Sequence, residues 1–296
     1  MKVRVCLVIS LFCWLSLDGP SARADVVLAG VQDGPFNGVA TFSPTLGFIN
    51  QVATDGPVLG LTTGASNDFY VSVGNRTLRY SDSGALLNTI AGSPTTVTPA
   101  LSFANGTVFA GVQDGSFNGV AMFTSTLGFI SQVATDGPIL GLAAGGSNDF
   151  YVSVGNHTNR YSLSGTLLNS ISGSPTTATP ALSFGNGTVF AAVQDGSFSG
   201  VAMFTSTLGF ISQVATDGPV LGIVAGANND FYVSVGNHTN HYSLSGALLG
   251  TITGSPTTLT PALSYRTTVV PEPPSLALVL IGAIGLVSWR CLRRVA

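Results

Sequence analysis

The sequence predicts an all-β chain, a six-bladed β-propeller made of three 81-residue double-blade repeats and closed by its C-terminal strand. Three observations predict it. The first is internal repetition: Val31-Gln32-Asp33-Gly34 returns as Val112-Gln113-Asp114-Gly115 and again as Val193-Gln194-Asp195-Gly196, a period of 112 − 31 = 81 and then 193 − 112 = 81. The second is local pattern. Runs rich in Val, Ile, Phe, Tyr and Thr are separated by Gly, Asn, Asp, Ser and Pro, and no segment between Asp25 and Val270 keeps a helical period. The third is an orphan strand. Later repeats open on Pro99-Ala100-Leu101-Ser102-Phe103 and Pro180-Ala181-Leu182-Ser183-Phe184, whereas the first starts at Asp25-Val26-Val27, which matches only the second strand. The missing piece stands at the other end, as Pro261-Ala262-Leu263-Ser264-Tyr265. A ring completed by that strand has no full-length unpaired edge.

Each long unit holds two diverged halves of roughly forty residues, the length of one four-stranded blade. Thr107-Val108-Phe109-Ala110-Gly111-Val112 aligns with Asp149-Phe150-Tyr151-Val152-Ser153-Val154, and Met122 to Ser125 aligns with Arg160 to Leu163. Three units of two halves give six blades.

The two ends read differently from the middle. Lys2 and Arg4 precede the apolar run Val5 to Leu17, and Ala22-Arg23-Ala24 follows with the small-x-small spacing that a signal peptidase accepts. Residues 1–24 are therefore expected to be a removable signal peptide, with Ala22 and Ala24 marking the cleavage site. The propeller is expected over residues 25–266, and a separate segment over residues 267–296.

Composition narrows the function classes. Between Asp25 and Val270 there is no Cys, Lys or Glu, and eleven Asp face four Arg. An acidic domain with so few cations does not hold phosphate backbones, so no nucleic-acid partner is expected. Cys6, Cys13 and Cys291 all lie in the terminal segments, so the exported domain is expected to use no disulfides.

In the last segment Val270-Pro271-Glu272-Pro273 carries the only Glu of the chain, followed by an apolar stretch from about Ser275 to Trp289 and then Arg290-Cys291-Leu292-Arg293-Arg294. The prolines keep the first part extended. The stretch is predicted to form one short transmembrane helix with its basic end on the cytoplasmic side, although about fifteen residues rise only ~23 Å. The order of motif, short hydrophobic helix and terminal Arg cluster resembles the PEP-CTERM sorting signal of Gram-negative bacteria, over Val270 to Ala296. The resemblance implies that an exosortase-like enzyme recognises Pro271, Glu272 and Pro273 and processes the tail, often in species that make exopolysaccharide. It also implies transient anchoring in the inner membrane, then a place at the cell surface or outside the cell.

Chemistry is sparse in the repeats. His157 and His238 are equivalent positions occupied by Arg76 in the first unit, and His241 replaces Arg79 and Arg160. No His-x-x-x-His, Cys pair or Gly-x-Ser-x-Gly elbow exists, so no metal, cofactor or nucleophile signature is present. The repeated acids are Asp33, Asp114 and Asp195; Asp55, Asp136 and Asp217; and Asp68, Asp149 and Asp230. The first set is the candidate ion-binding set, since oxygen ligands suit a cation such as calcium. Turn capping by the same carboxylates is the stronger reading of all three. The expected function is a non-enzymatic surface or matrix protein whose repeats meet a repetitive ligand such as polysaccharide. The alternative is a propeller lyase or hydrolase acting on extracellular polymer, which requires unrepeated residues such as Arg76, Arg79 and Asp82 to converge.

Overall fold

A strand whose two faces are both apolar has to be covered twice, and the second strand of each repeat half has that character. In the computed structural model, which describes residues 23–33, 35–91, 100–115, 117–172, 181–252 and 262–269, twenty-four strands form six four-stranded antiparallel sheets. Blade 1 is ordered β24 (Leu263–Val269), β1 (Arg23–Asp33), β2 (Phe36–Phe42), β3 (Phe48–Ala53). Blade 2 holds β4 (Gly60–Thr63), β5 (Asp68–Val73), β6 (Arg76–Ser81) and β7 (Leu86–Ala91). Blade 3 holds β8 (Leu101–Ala104), β9 (Thr107–Asp114), β10 (Phe117–Thr124) and β11 (Phe129–Ala134), and blade 4 holds β12 (Ile139–Ala144), β13 (Asp149–Val154), β14 (His157–Ser162) and β15 (Leu167–Ser172). Blade 5 holds β16 (Leu182–Gly185), β17 (Thr188–Asp195), β18 (Phe198–Thr205) and β19 (Phe210–Ala215). Blade 6 holds β20 (Val220–Ala225), β21 (Asp230–Val235), β22 (His238–Ser243) and β23 (Leu248–Ile252). The all-β, six-bladed propeller is the fold. Residues 1–22 of the expected signal peptide, the three Pro-Thr-Thr linkers and the whole segment from Val270, including the expected transmembrane helix, lie outside the described residues; Ala24 falls in β1.

The period-two pattern does not divide inside from outside here. Every residue of β13 is buried. Phe150, Val152 and Val154 pack with Phe109, Val120 and Met122 of blade 3, while Tyr151 packs with Leu182, Val189 and Phe204 of blade 5. Alternate side chains thus meet two different neighbours. The six hydrophobic clusters are the six junctions between blades, and the one between blades 6 and 1 joins Tyr232 to Val27, Phe42 and Leu263.

Polar bonds mark the junctions in two alternating ways. Where blades 1, 3 and 5 meet blades 2, 4 and 6, a serine on the first strand accepts a backbone N–H of the next: Ser264 Oγ from Thr63 at 2.8 Å, Ser102 Oγ from Ala144 at 2.8 Å and Ser183 Oγ from Ala225 at 3.0 Å. At the other three junctions a buried tyrosine donates its hydroxyl to a backbone carbonyl, Tyr70 to Ser125 at 2.7 Å, Tyr151 to Ser206 at 2.7 Å and Tyr232 to Pro44 at 3.2 Å. In blade 1 Gly30 N donates to Ala262 O at 2.8 Å, matching Gly111 N to Ala100 O at 2.8 Å in blade 3.

Antiparallel alternation gives the ring two unlike faces. The linker face holds the ends of fourth strands, the links between blades and the hairpins from second to third strand. The turn face holds the hairpins from first to second and from third to fourth strand. On that second face each fourth strand begins with two exposed apolar residues, Phe48 (60 %) and Ile49 (53 %) in β3, Leu86 and Leu87 in β7, and their equivalents in the other four blades. The second of each pair is an extra residue in the ladder: Phe42 pairs Phe48 while Thr41 pairs Asn50, leaving Ile49 unmatched. The same shift recurs in every blade. A bulge on an outermost strand disrupts the edge as a template for another strand.

The tyrosine junctions are open to test. Tyr151→Phe, which leaves the ring but removes the bond to Ser206, is expected to cost about 1–2 kcal/mol by urea unfolding. Phe150→Ala is expected to cost ~3–5 kcal/mol through the cavity it opens.

Candidate binding face

The linker face gathers two of the three sets of acids that repeat with the 81-residue period. Asp136 sits in the link after β11, where Thr135 Oγ1 donates to Gly137 O at 2.9 Å. Gly137 is required because a Cβ there stands 2.8 Å from Val154 Cγ1. The link delivers the Asp136 carboxylate to the start of β14. His157 Nε2 donates to its Oδ2 at 2.7 Å, and Asn159 Nδ2 donates to its Oδ1 at 3.1 Å. Unit three repeats the arrangement, with His238 Nε2 at 2.8 Å and Asn240 Nδ2 at 3.0 Å from Asp217. Unit one keeps the acid and changes the partner, pairing Asp55 with Arg76 at 2.6 Å beside Leu78. About half of each carboxylate stays in solvent. The face therefore shows three similar polar sites, two with a histidine and one with an arginine. Beneath them burial, and then the nearby Asp55, Asp136 or Asp217 charge, push the Tyr80, Tyr161 and Tyr242 hydroxyls up.

The candidate ion-binding acids lie on the same face but in another hairpin. Asp33, Asp114 and Asp195 end β1, β9 and β17, each paired across the ladder with the first residue of the next strand. Gly115 and Gly196 follow at φ 56, the left-handed conformation that a two-residue turn uses. Asp195 is exposed, and the side chains of Asp33 and Asp114 lie outside the described residues. Among the described residues no group of three His, Cys, Asp or Glu could hold a metal ion. The repeat places one such acid in each of blades 1, 3 and 5.

The third acid set lies on the turn face and is buried. Asp68 is 1 % exposed, accepts Ser66 N at 3.1 Å and Arg79 Nε at 2.6 Å, and Arg79 lies over the Tyr70 ring at 6.0 Å. Asp149, Arg160 and Tyr151 repeat this. In unit three His241 takes the place of Arg, 2.7 Å from Asp230 and stacked on Tyr232 at 4.1 Å. Turn capping is thus part of the role of these acids, and a buried ion pair that buttresses the junction tyrosine is the rest. The repeat showed the positions; only packing shows the pairing.

Arg76, Arg79 and Asp82 do not converge. Arg76 meets Asp55 on the linker face, Arg79 meets Asp68 on the turn face, and Asp82 meets Arg266 through two bonds, at 2.9 and 2.6 Å. The Asp82–Arg266 pair escaped the sequence reading, yet the sequence carries its signal. The equivalent positions are Leu163 and Leu244 for Asp82, and Ala104 and Gly185 for Arg266. Both members change together, at the junction where β24 meets blade 2.

Among solved structures the fold has many neighbours. The chain is similar to one component of a nidogen/laminin complex (TM-score 0.66, 9 % identity, 82 % of this chain and 98 % of that one). It is similar to a protein of unknown function from Bacteroides caccae (TM-score 0.63, 11 % identity, 82 % and 99 %). A functionally unknown protein from Desulfotomaculum acetoxidans matches at TM-score 0.58 and 14 % identity over 81 % and 82 %. No family model matches the chain, and no curated protein does. At these identities the likeness establishes the propeller fold.

Two outcomes follow from the turn-face pairs. Arg160→Leu leaves the buried Asp149 charge without its partner and is expected to cost ~3 kcal/mol or more, whereas Arg160→His, the residue unit three uses, costs well under half of that by the same denaturation. Burial, and next the charge of Asp68 or Asp149, push the Tyr70 and Tyr151 hydroxyls from 10.0 up to about 12. The fold then binds protons that the unfolded chain releases. Their contribution is complete below pH 10.0 and is lost as pH rises through about 12, so the urea midpoint falls over that window, in step with tyrosinate absorbance.

Proposed function

We propose that this chain is an exported repeat protein of the cell surface or extracellular matrix, with a non-enzymatic binding or structural role. One observation carries the reading: three near-identical double blades repeat one polar face three times, and the described bases on it are already engaged by their own acids. A lattice of equal, weak sites suits a repetitive ligand, because linked engagement raises avidity without any single strong pocket. An extracellular polysaccharide has the repetition, and hydroxyls that can donate to the half-exposed carboxylates.

Delivery rests on the ends. Signal peptidase cleaves after Ala24, the C-terminal helix holds the protein in the inner membrane, and an exosortase-like enzyme acts at Pro271, Glu272 and Pro273. We read β24 as the strand that closes the ring before the tail begins, supported by its place beside β1 and by the Arg266–Asp82 pair that ties it to blade 2.

Fractionating cells that carry the full chain, with and without residues 271–273, tests delivery: the deletion is expected to hold the protein in the inner membrane at unprocessed size, and unchanged location and size sink the sorting reading. The full chain applied to a glycan array is expected to retain acidic-group-free, repetitive glycans and to lose them when Asp136 and Asp217 are both changed to Asn. A chain ending at Pro261 is expected to have a lower urea midpoint than the full chain, and an equal midpoint removes β24 from the closing role.

A further inference from the structure

The apolar pairs at the start of every fourth strand are the largest exposed hydrophobic side chains among the described residues, and all of them lie on the turn face. Phe48-Ile49, Phe129-Ile130 and Phe210-Ile211 alternate around the ring with the Leu-Leu pairs of blades 2, 4 and 6, each side chain about half or more exposed. Twelve such residues stand in pairs at equivalent places in all six blades rather than as scattered singles, and an apolar rim of that kind marks an interaction surface.

Three features define its occupant. Each apolar pair follows a turn whose two hydroxyls bond one another, Ser43 with Thr45 at 3.0 Å, Thr124 with Thr126 at 3.0 Å and Ser81 with Ser83 at 2.8 Å, so the rim is apolar with polar groups directly beside it. Charge is divided between the faces. On the turn face Asp68, Asp149, Asp230 and Asp82 meet Arg79, Arg160, His241 and Arg266, with Asp25 beside Tyr265, whereas on the linker face Asp55, Asp136 and Asp217 meet Arg76, His157 and His238 and the exposed Asp195, with Asp33 and Asp114 at its equivalent positions, adds further acids. Last, β24 runs toward the turn face, and only about six residues separate Val269 from the apolar stretch beginning near Ser275. Six residues span at most ~20 Å. A ring apolar at the rim where β24 ends, more acidic at its opposite face and followed within a few residues by an apolar stretch, fits a bilayer.

We propose that the turn face docks on a lipid surface, with the Phe-Ile and Leu-Leu pairs seated at the boundary between headgroups and acyl chains and the turn hydroxyls among the headgroups. The linker face and its three polar sites then point away from the membrane. This rests on the membrane-anchored reading of the C-terminal segment, and the two are separable by experiment.

Trp289, inside the apolar stretch, reports insertion of the tail; Phe129→Trp, in a full chain with Trp14 and Trp289 changed to Phe, reports the rim. Both are reconstituted in vesicles of phosphatidylethanolamine and phosphatidylglycerol with brominated acyl chains. A roughly twofold loss of emission is expected from the rim probe, and little from Asn75→Trp on the linker face, given an insertion depth of about 5–10 Å. Leu168→Trp on blade 4 repeats the rim measurement should the first variant fail to fold. Quenching of Trp289 without quenching of either rim probe overturns the docking and leaves the anchor standing. Quenching of a rim probe without Trp289 supports the docking and removes the anchor, and quenching of neither overturns both. Rim probes unquenched by lipid in a chain whose mass doubles with concentration assign the rim to a second copy instead.

Discussion

The ring depends on covering each second strand from both sides. β5, β13 and β21 are buried at every residue, with alternate side chains committed to opposite neighbours. A single blade removed from its neighbours exposes both faces of such a strand, an apolar loss too large for a four-stranded sheet to bear alone. Stability is therefore a property of the junctions. The alternation of serine-to-backbone and tyrosine-to-backbone bonds follows from the double-blade repeat, since a unit of two blades has one internal junction and one external junction to specify.

Much of this was legible in the residues. The 81-residue spacing gave the number of blades, and Asp-Gly and Asn-Gly steps gave the hairpins, with Asn105 and Asn186 indeed in the left-handed conformation that such turns require. The halves aligned by order rather than identity occupy equivalent strands, β9 with β13 and β10 with β14. The site was less legible. Tyr151 and Phe150 are adjacent and look alike in a pattern of hydrophobicity, yet one faces blade 5 with a hydroxyl to satisfy and the other faces blade 3. Asp149 reads as a turn residue because Asn148 precedes it, while its ion pair with Arg160 comes from a residue eleven positions on, brought opposite only by the strand pairing. The apolar rim was hidden for a simpler reason: Phe48-Ile49 looks like core until the sheet order shows it on an outermost strand.

Several departures from threefold symmetry fall at the junctions flanking blade 1. His241 for Arg and Tyr265 for Phe both stand at the tyrosine junction between blades 6 and 1, where Tyr265 stacks on Tyr232 at 5.9 Å and burial, with Asp25 beside it, pushes its hydroxyl up. Arg266 and Asp82 stand at the next junction. Duplication makes interchangeable units, and interchangeable strands pair out of register or between chains. The polar linker face keeps its acid in all three units, with Arg76 and Leu78 in unit one where the other two have His and Asn.

Native-state hydrogen exchange of the full chain tests the interlocked ring most directly. The account predicts that the amides of β1, β5, β9, β13, β17 and β21 share one opening free energy, close to that of global unfolding, because no second strand is exposed unless its neighbours separate. Blades that open one at a time, with β13 or β17 exchanging many times faster than β5 or β21, would contradict it.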